Sequence, residues 1–539
     1  MQKALSRRAL LAGSAAVTFL STLAGFPVPD GRARAQTAGA ETAGPRLGDP
    51  RPFDRGALLD RARALAGEPY EAPQPKAAEA LEQVDYDAYN VLRYRPSRGL
   101  WLGETRHPVQ FFHLGRYFQL PVTIYEVEGA VARPVLYDPS LFDYGDTGLE
   151  SALPDDLGFA GFRYMNPGEP PTDWLVFLGA AYFRTAGPFG QYGLSARGVA
   201  IDTATDDGEE FPRFTEFWLE KPAPAENGAD DRQVVIHALL EGRSVVGVYR
   251  FVARNENGVV MEVETTLFLR REVERLGIAP LTSMFWFSET NRHRAPDWRP
   301  EIHDSDGLAL WTGAGERIWR PLNNPERLQV NAFVDNNPRG FGLMQRDRDF
   351  RNYEDDGVFY DRRPSLWVEP LGEWGEGAVE LIEIPTNDEI HDNIVAFWRP
   401  QTLPALGQPL SLAYRLHWVA DNPYPAGDNG RVLSTRIGRG GVPGQERPKG
   451  VKKFVVDFAG GPLGGLGRET PVEAVIAASR GEIVDKYVLK VVGTERWRAV
   501  FDLEAGGDDP VDLRLYLRLG EQTLTETWLY QHLPFDFPA

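Results

Sequence analysis

Cysteine is absent from the 539-residue chain, which excludes a disulfide framework and any zinc site of the cysteine type. A chain this long can instead rely on a buried core, for which 42% hydrophobic content is ample. After residue 35 no apolar run approaches the roughly 18 residues needed to span a bilayer, so the mature protein is expected to be soluble. An excess of positive charge is missing too. With 58 Lys and Arg against 77 Asp and Glu, the net charge is −19, a field that repels DNA or RNA; nucleic acid is excluded as a partner and a neutral one is favoured. No nucleophile elbow, P-loop or dinucleotide fingerprint stands in a strand-to-helix setting, and Gly313-Ala314-Gly315 lacks that setting. There is no internal repeat, and helical spacing is scarce after Tyr89.

The first 35 residues carry an export signal. Lys3, Arg7 and Arg8 form a charged start, Ala9 to Gly25 an apolar stretch, and Ala33-Arg34-Ala35 a small-residue cleavage site. Ser6-Arg7-Arg8-Ala9-Leu10-Leu11 is a twin-arginine pattern, which points to the Tat route over an ordinary Sec signal. Cleavage removes five basic residues and one acid, taking the net charge from −19 to −23. Residues 36–52 are small, polar and proline-bearing and read as a disordered lead-in.

Helix-like spacing covers Phe53 to Ala66 and Lys76 to Val84. From Tyr89 the pattern changes to short runs of Val, Ile, Phe, Tyr and Trp between Gly, Pro and Asp turns, the signature of antiparallel strands. Val259 to Leu269 alternates cleanly, and Asn255 to Gly258 supplies a hairpin turn before it. The fold expected is all-β: a large sandwich over residues 53–420, a Pro/Gly/Asn-rich linker at 421–430, and an immunoglobulin-like sandwich over 431–539.

Chemistry gathers in two acidic stretches. Trp298 to Pro325 holds Glu301, His303, Asp304 and Asp306 among three tryptophans, and Glu383 to Pro400 holds Glu383, Asp388, Glu389 and Asp392 before a strand ending on Trp398. Seven of the thirteen tryptophans, at 286, 298, 311, 319, 367, 374 and 398, fall in this fifth of the chain. Indole stacks on the C–H faces of sugars, so aromatics beside carboxylates fit a carbohydrate groove; the plainer account is that each tryptophan fills the sandwich. Cleaving a glycosidic bond needs one carboxylic acid for the leaving oxygen and a base for water. Asp388 is the candidate acid, in a loop between two strands, and Asp304 and Asp306 are the candidate bases, although Asp-Ser-Asp-Gly is also ordinary turn chemistry. His303-Asp304-x-Asp306 and His391-Asp392 match no closed metal pattern, so no metal or other cofactor is expected. The two stretches are expected to face one another across a groove.

The blocks PLTSMFWFSE (280–289), RPEIHDSDGL (299–308), GERIWRPLNNP (315–325), RPSLWVEP (363–370) and EIPTNDEIHDNIVAFW (383–398) closely resemble the osmoregulated periplasmic glucan biosynthesis proteins G and D. So do Tyr86 to Pro96, Phe177 to Asp202 and Glu209 to Pro222, and the twin-arginine signal favours the D branch. The resemblance implies a galactose mutarotase-like sandwich joined to the immunoglobulin-like domain, a periplasmic location, and action on β-1,2-linked glucan as an inverting endo-glucanase. The alternatives it leaves are a transglycosylase that cyclises the glucan and a non-catalytic glucan-binding scaffold. On its pattern Asp388 is the acid, and Asp304 or Asp306 takes the proton from the nucleophile. Trp286, Glu301, His303, Trp311, Arg317, Trp319, Arg320, Tyr360, Trp367, Glu383 and Asp392 are expected to bind substrate. Other periplasmic or inner-membrane proteins of glucan synthesis are the further partners implied.

Overall fold

A computed structural model describes residues 44–168, 170–222, 232–423 and 429–537. The expected signal, the start of the lead-in and residues 424–428 of the expected linker lie outside the described residues. The protein is all-β. One long sheet begins at the edge pair Arg51–Pro52 and Val131–Pro134 and runs through Arg213–Glu220, Gln233–Glu241, Val245–Asn255 and Val259–Leu269 to Pro409–Val419, Gly307–Trp311 and Arg317–Pro321. A second sheet, from Gln329–Asn336 through Ile394–Pro400, Leu276–Ser283 and Tyr182–Thr185 to Val109–His113, packs against it. The main core fills the space between them: Phe177, Phe183, Phe214 and Phe251 meet there, with Phe183 and Phe251 ring centres 5.1 Å apart.

Strand alternation decides which residues face this core and which face outward. Tyr182 pairs with Arg197 and Phe183 with Ala196. With Phe183 in the core, Tyr182, Arg184 and Arg197 project from the opposite, outer face of the second sheet. Thr282, Val395 and Ile382 continue that face through their registers. The site described below is built on it.

Two expected boundaries shift. The lead-in is tied down from Leu47, which bridges Val135, and Gly48 N–H donates to Pro134 O at 2.8 Å; the unpaired rim of strand Val131–Pro134 offers the partners. The helix expected over 76–84 contracts to Ala78–Leu81, because Asp85 accepts Ala88 N–H at 3.1 Å and caps a new helix, Tyr86–Val91. Helix Arg55–Ala66 forms where expected, capped by Asp54, and lays Leu58 and Ala62 against Trp218 and Val248. None of the described helices is long and apolar enough to cross a membrane.

The C-terminal region is fused to the first sheet. Strand Arg317–Pro321 pairs in parallel with Thr527–His532, Ile318 opposite Thr527, and Val511–Leu519 and Glu473–Ala478 extend the sheet. A four-stranded sheet from Arg431–Arg439 to Glu482–Lys490 covers them, around Phe454, Trp497, Phe501 and Trp528. Trp319 and Trp367 belong to this second core. Each ring lies on a strand glycine: a Cβ on Gly307 would fall 2.2 Å from Trp319, and one on Gly340 2.3 Å from Trp367.

Candidate active site

The two acidic stretches meet. Strand Ile302–His303 pairs with Phe285–Phe287, and Asp304 N–H donates to Met284 O at 2.9 Å. Two buried asparagines hold the second stretch to the same strand. Asn393 accepts Phe285 N–H at 2.8 Å and donates to Phe285 O and Ile384 O; Asn324 accepts Thr386 N–H at 3.0 Å and donates to Thr386 O and Trp286 O. Arg299 of the first stretch then grips Glu389 of the second with two bonds, 2.9 and 3.0 Å, and Tyr360 O–H donates to Glu389 at 2.6 Å. Asp355 at 2.6 Å and Asp297 at 2.9 Å complete the surroundings of Arg299. This two-pronged contact is the strong kind of charge-assisted bond.

The carboxyl groups differ in environment. Asp306 is half-buried, and its Oδ2 accepts the backbone N–H of Arg346 and Asp347 at 3.0 and 2.9 Å, so it is committed to the turn after strand Gly340–Met344. Asp304 is buried and lies 3.3 Å from Arg363 Nε in a poorly aligned approach, with no hydrogen bond to either of its oxygens among the described residues. Burial raises the Asp304 pKa, and the charges of Arg363, His303 and Arg184 oppose the rise. Asp388 is half-buried at the tip of its loop, where its carboxylate accepts Ile390 N–H at 3.3 Å. Asp392 is pushed up to about 7 by burial and by the neighbouring Asp304, with Arg184 opposing.

Behind these groups lies a closed network. His303 is fully buried under Phe285 and bonds Glu301 at 3.1 Å through Nε2 and Gln345 Oε1 at 2.9 Å through Nδ1. Gln345 in turn donates to the carbonyls of His303 and Tyr360, both at 3.0 Å. Two acceptors on the two ring nitrogens fit the imidazolium. Burial disfavours that charge most, but the bond to Glu301 together with the charges of Glu301, Asp306 and Asp347 outweighs it and raises the His303 pKa to about 9. Glu289, raised to about 8 by burial and by Glu301, accepts Thr435 N–H of the C-terminal region at 3.0 Å. Among the described residues no three His, Asp or Glu side chains converge as a metal site would require.

Of the residues expected in the groove, Asp304, Asp388, Asp392, Trp286, Glu301, His303 and Tyr360 gather here, with Glu301 and His303 one layer behind the surface. The others lie elsewhere. Trp319 and Trp367, 4% and 2% exposed, are sealed in the core shared with the C-terminal region and offer no face to a sugar. Glu383 and Arg320 form a buried pair at 3.0 Å, with Glu383 also taking Asn323 N–H at 2.7 Å. Trp311 packs at the rim of the C-terminal core with Arg317 5.0 Å from its ring. Of their strands, Arg317–Pro321 pairs directly with Thr527–His532, a contact that local sequence does not announce.

Several site residues escaped sequence reasoning. Arg184 and Tyr192 sit in the block 177–202 and Arg363 in the block 363–370, both legible as blocks but without a signal that singles out these side chains. Trp298 is 70% exposed on the loop leading to Arg299, and Ile390 is 45% exposed beside Glu389. They are the large apolar groups on the rims of the two stretches.

Comparison with known proteins agrees on one family. The family model described as "Periplasmic glucan biosynthesis protein, MdoG" matches residues 53–532. The chain is 52% identical over 506 residues to Glucans biosynthesis protein D 2 of Ralstonia nicotianae, covering 92% of this chain and 93% of that relative. It is 48% identical over 518 residues to Glucans biosynthesis protein D of Stenotrophomonas maltophilia, covering 95% and 96%. With the protein of the same name from Xanthomonas campestris pv. campestris it shares 50% identity over 497 residues, covering 91% and 92%.

Proposed function

This chain belongs to the periplasmic glucan biosynthesis protein family MdoG, on its D branch, and from that premise we propose that it is an inverting endo-β-1,2-glucanase that sets glucan backbone length in the periplasm after export by the twin-arginine route. The observation that carries the reading is the meeting of the two acidic stretches at Arg299 and Glu389, which gathers carboxyl groups from distant parts of the chain at one surface. Asp388, half-buried and reachable from solvent, gives its proton to the glycosidic oxygen as the C1–O bond breaks. A water attacks C1 from the opposite face and loses its proton to Asp304, directly or through further waters. Asp304 is favoured over Asp306 as the base because Asp306 Oδ2 is taken by the backbone N–H groups of Arg346 and Asp347, whereas neither carboxylate oxygen of Asp304 accepts a hydrogen bond from a described residue. Arg363 and His303 help Asp304 to stay ionised, as a base must be. Trp286 and Trp298 serve as sugar platforms.

Incubating the purified mature protein with linear β-1,2-glucan, and following products by mass and anomeric form, tests this. Shorter linear products of inverted configuration, lost in Asp388→Asn, are expected. Products lighter than a linear chain by one water mean cyclising transfer instead; unchanged glucan that still binds means a scaffold.

A further inference from the structure

Arg184 stands out on the outer face of the second sheet. It is 4% exposed, yet its guanidinium makes no hydrogen bond and no ion pair with any described residue; it is held by lying over the Tyr192 ring at 5.2 Å. Tyr192 is itself fixed by donating to Asp173 at 2.8 Å and by Arg363, which bonds its carbonyl. None of the Arg184 nitrogens is among the sealed, unbonded polar atoms, so each keeps an accessible edge. A buried cation left without partners is costly and calls for a function. Asp392 is its counterpart: its carboxyl also has no hydrogen bond or ion pair among the described residues and is not sealed.

The two are close enough for each to bias the other's charge, yet no nitrogen–oxygen pair comes within the 4.0 Å of an ion pair. Opposite charges that share a surface and do not close on one another leave room between them for a polar group. A guanidinium offers donors in a planar fork and a carboxyl group accepts or, when protonated, also donates. Neighbouring hydroxyls on a pyranose ring present that complement, whereas an anionic group would meet Asp392 and Asp304.

We propose that Arg184 and Asp392 are the two sides of a clamp for the hydroxyls of one glucosyl unit, adjoining Asp304. Arg184 thereby becomes a substrate-binding residue of the site; the assignment rests on the glucan reading given above. Tyr192, itself bonded by Arg363 and Asp173, holds the Arg184 side of the clamp.

Calorimetric titration of a linear β-1,2-gluco-oligosaccharide into the mature chain carrying Asp388→Asn tests it without turnover, with Arg184→Met, Arg184→Lys and Asp392→Asn added singly and the Tm of each recorded. The expected result is a Kd raised about ten- to hundredfold by Arg184→Met, the size of losing bonds to a charged group, with no fall in Tm. Arg184→Lys recovers part of the affinity, since it keeps the charge and loses the fork, and Asp392→Asn weakens binding as well. Unchanged affinity in Arg184→Met overturns the clamp. So does a Tm that falls in both Arg184 variants while Asp392→Asn binds like its parent, because that is the pattern of a structural cation. If the Asp388→Asn parent takes up no glucan, the glucan reading fails and the clamp with it.

Discussion

Asn393 is the sharpest place to test how the Asp388 loop is held. The residue is 1% exposed, and its side chain makes three bonds of 2.8 to 3.0 Å: it accepts Phe285 N–H and donates to Phe285 O and Ile384 O. Asn393→Ala leaves these buried backbone groups unmet. Each such group costs about 1–3 kcal/mol, and since they share one site and relax together the expected loss is about 2–4 kcal/mol in total. Asn393→Asp keeps the acceptor toward Phe285 N–H but turns the donor into an oxygen facing two carbonyls. The folded state then favours the neutral acid, so the aspartate's folded pKa rises above its unfolded value of about 3.9. Because the folded chain holds a proton that the unfolded chain has released, stability falls as pH rises from about 4 through that folded pKa. Urea denaturation at pH 4.5 and pH 8 reads this. Asn393→Ala is expected to lose the same amount at both, while Asn393→Asp sits near the parent at the lower pH and below Asn393→Ala at the higher. Glucan turnover should fall in both variants at pH 8. A loss under about 1 kcal/mol in Asn393→Ala, or an Asn393→Asp whose penalty ignores pH, refutes the account.

Three further outcomes follow from the same structure. Asp392, raised to about 7, is neutral in the folded state at pH 4 and charged at cost at pH 8, so Asp392→Asn should stabilise the protein at pH 8 and change little at pH 4; denaturation at the two values checks the sign. Glu526 binds Arg346 at 2.6 and 3.1 Å and accepts Val432 N–H at 2.8 Å in the buried junction. Glu526→Gln removes the negative charge that balances a buried guanidinium and is expected to cost about 3–5 kcal/mol, read by denaturant midpoint and slope. Trp298→Ala, at a 70% exposed position, should leave Tm unchanged and weaken glucan binding by about 0.5–1.5 kcal/mol in the titration used for Arg184.

Sequence alone determined the strand-rich fold, the family and the two acidic stretches. Period-two alternation in Val259–Leu269 and the turn residues before it report which side of a strand is buried, a local property that needs no partner to be read. The meeting of the stretches at Arg299 and Glu389 was legible only as an idea, from shared composition. What tertiary structure alone decided is which charged and aromatic side chains are free to meet a ligand. Trp319, Trp367, Arg320 and Glu383 have the composition of a sugar site, yet packing with strands some two hundred residues away, Thr527–His532 among them, buries the two tryptophans in the C-terminal core, and Arg320 and Glu383 close on one another as a buried pair. Arg184 carries no mark in its own segment, AYFRTAG. Its role follows from the bonds it does not make, and a missing partner is a property of the whole surroundings, fixed only when distant strands have packed.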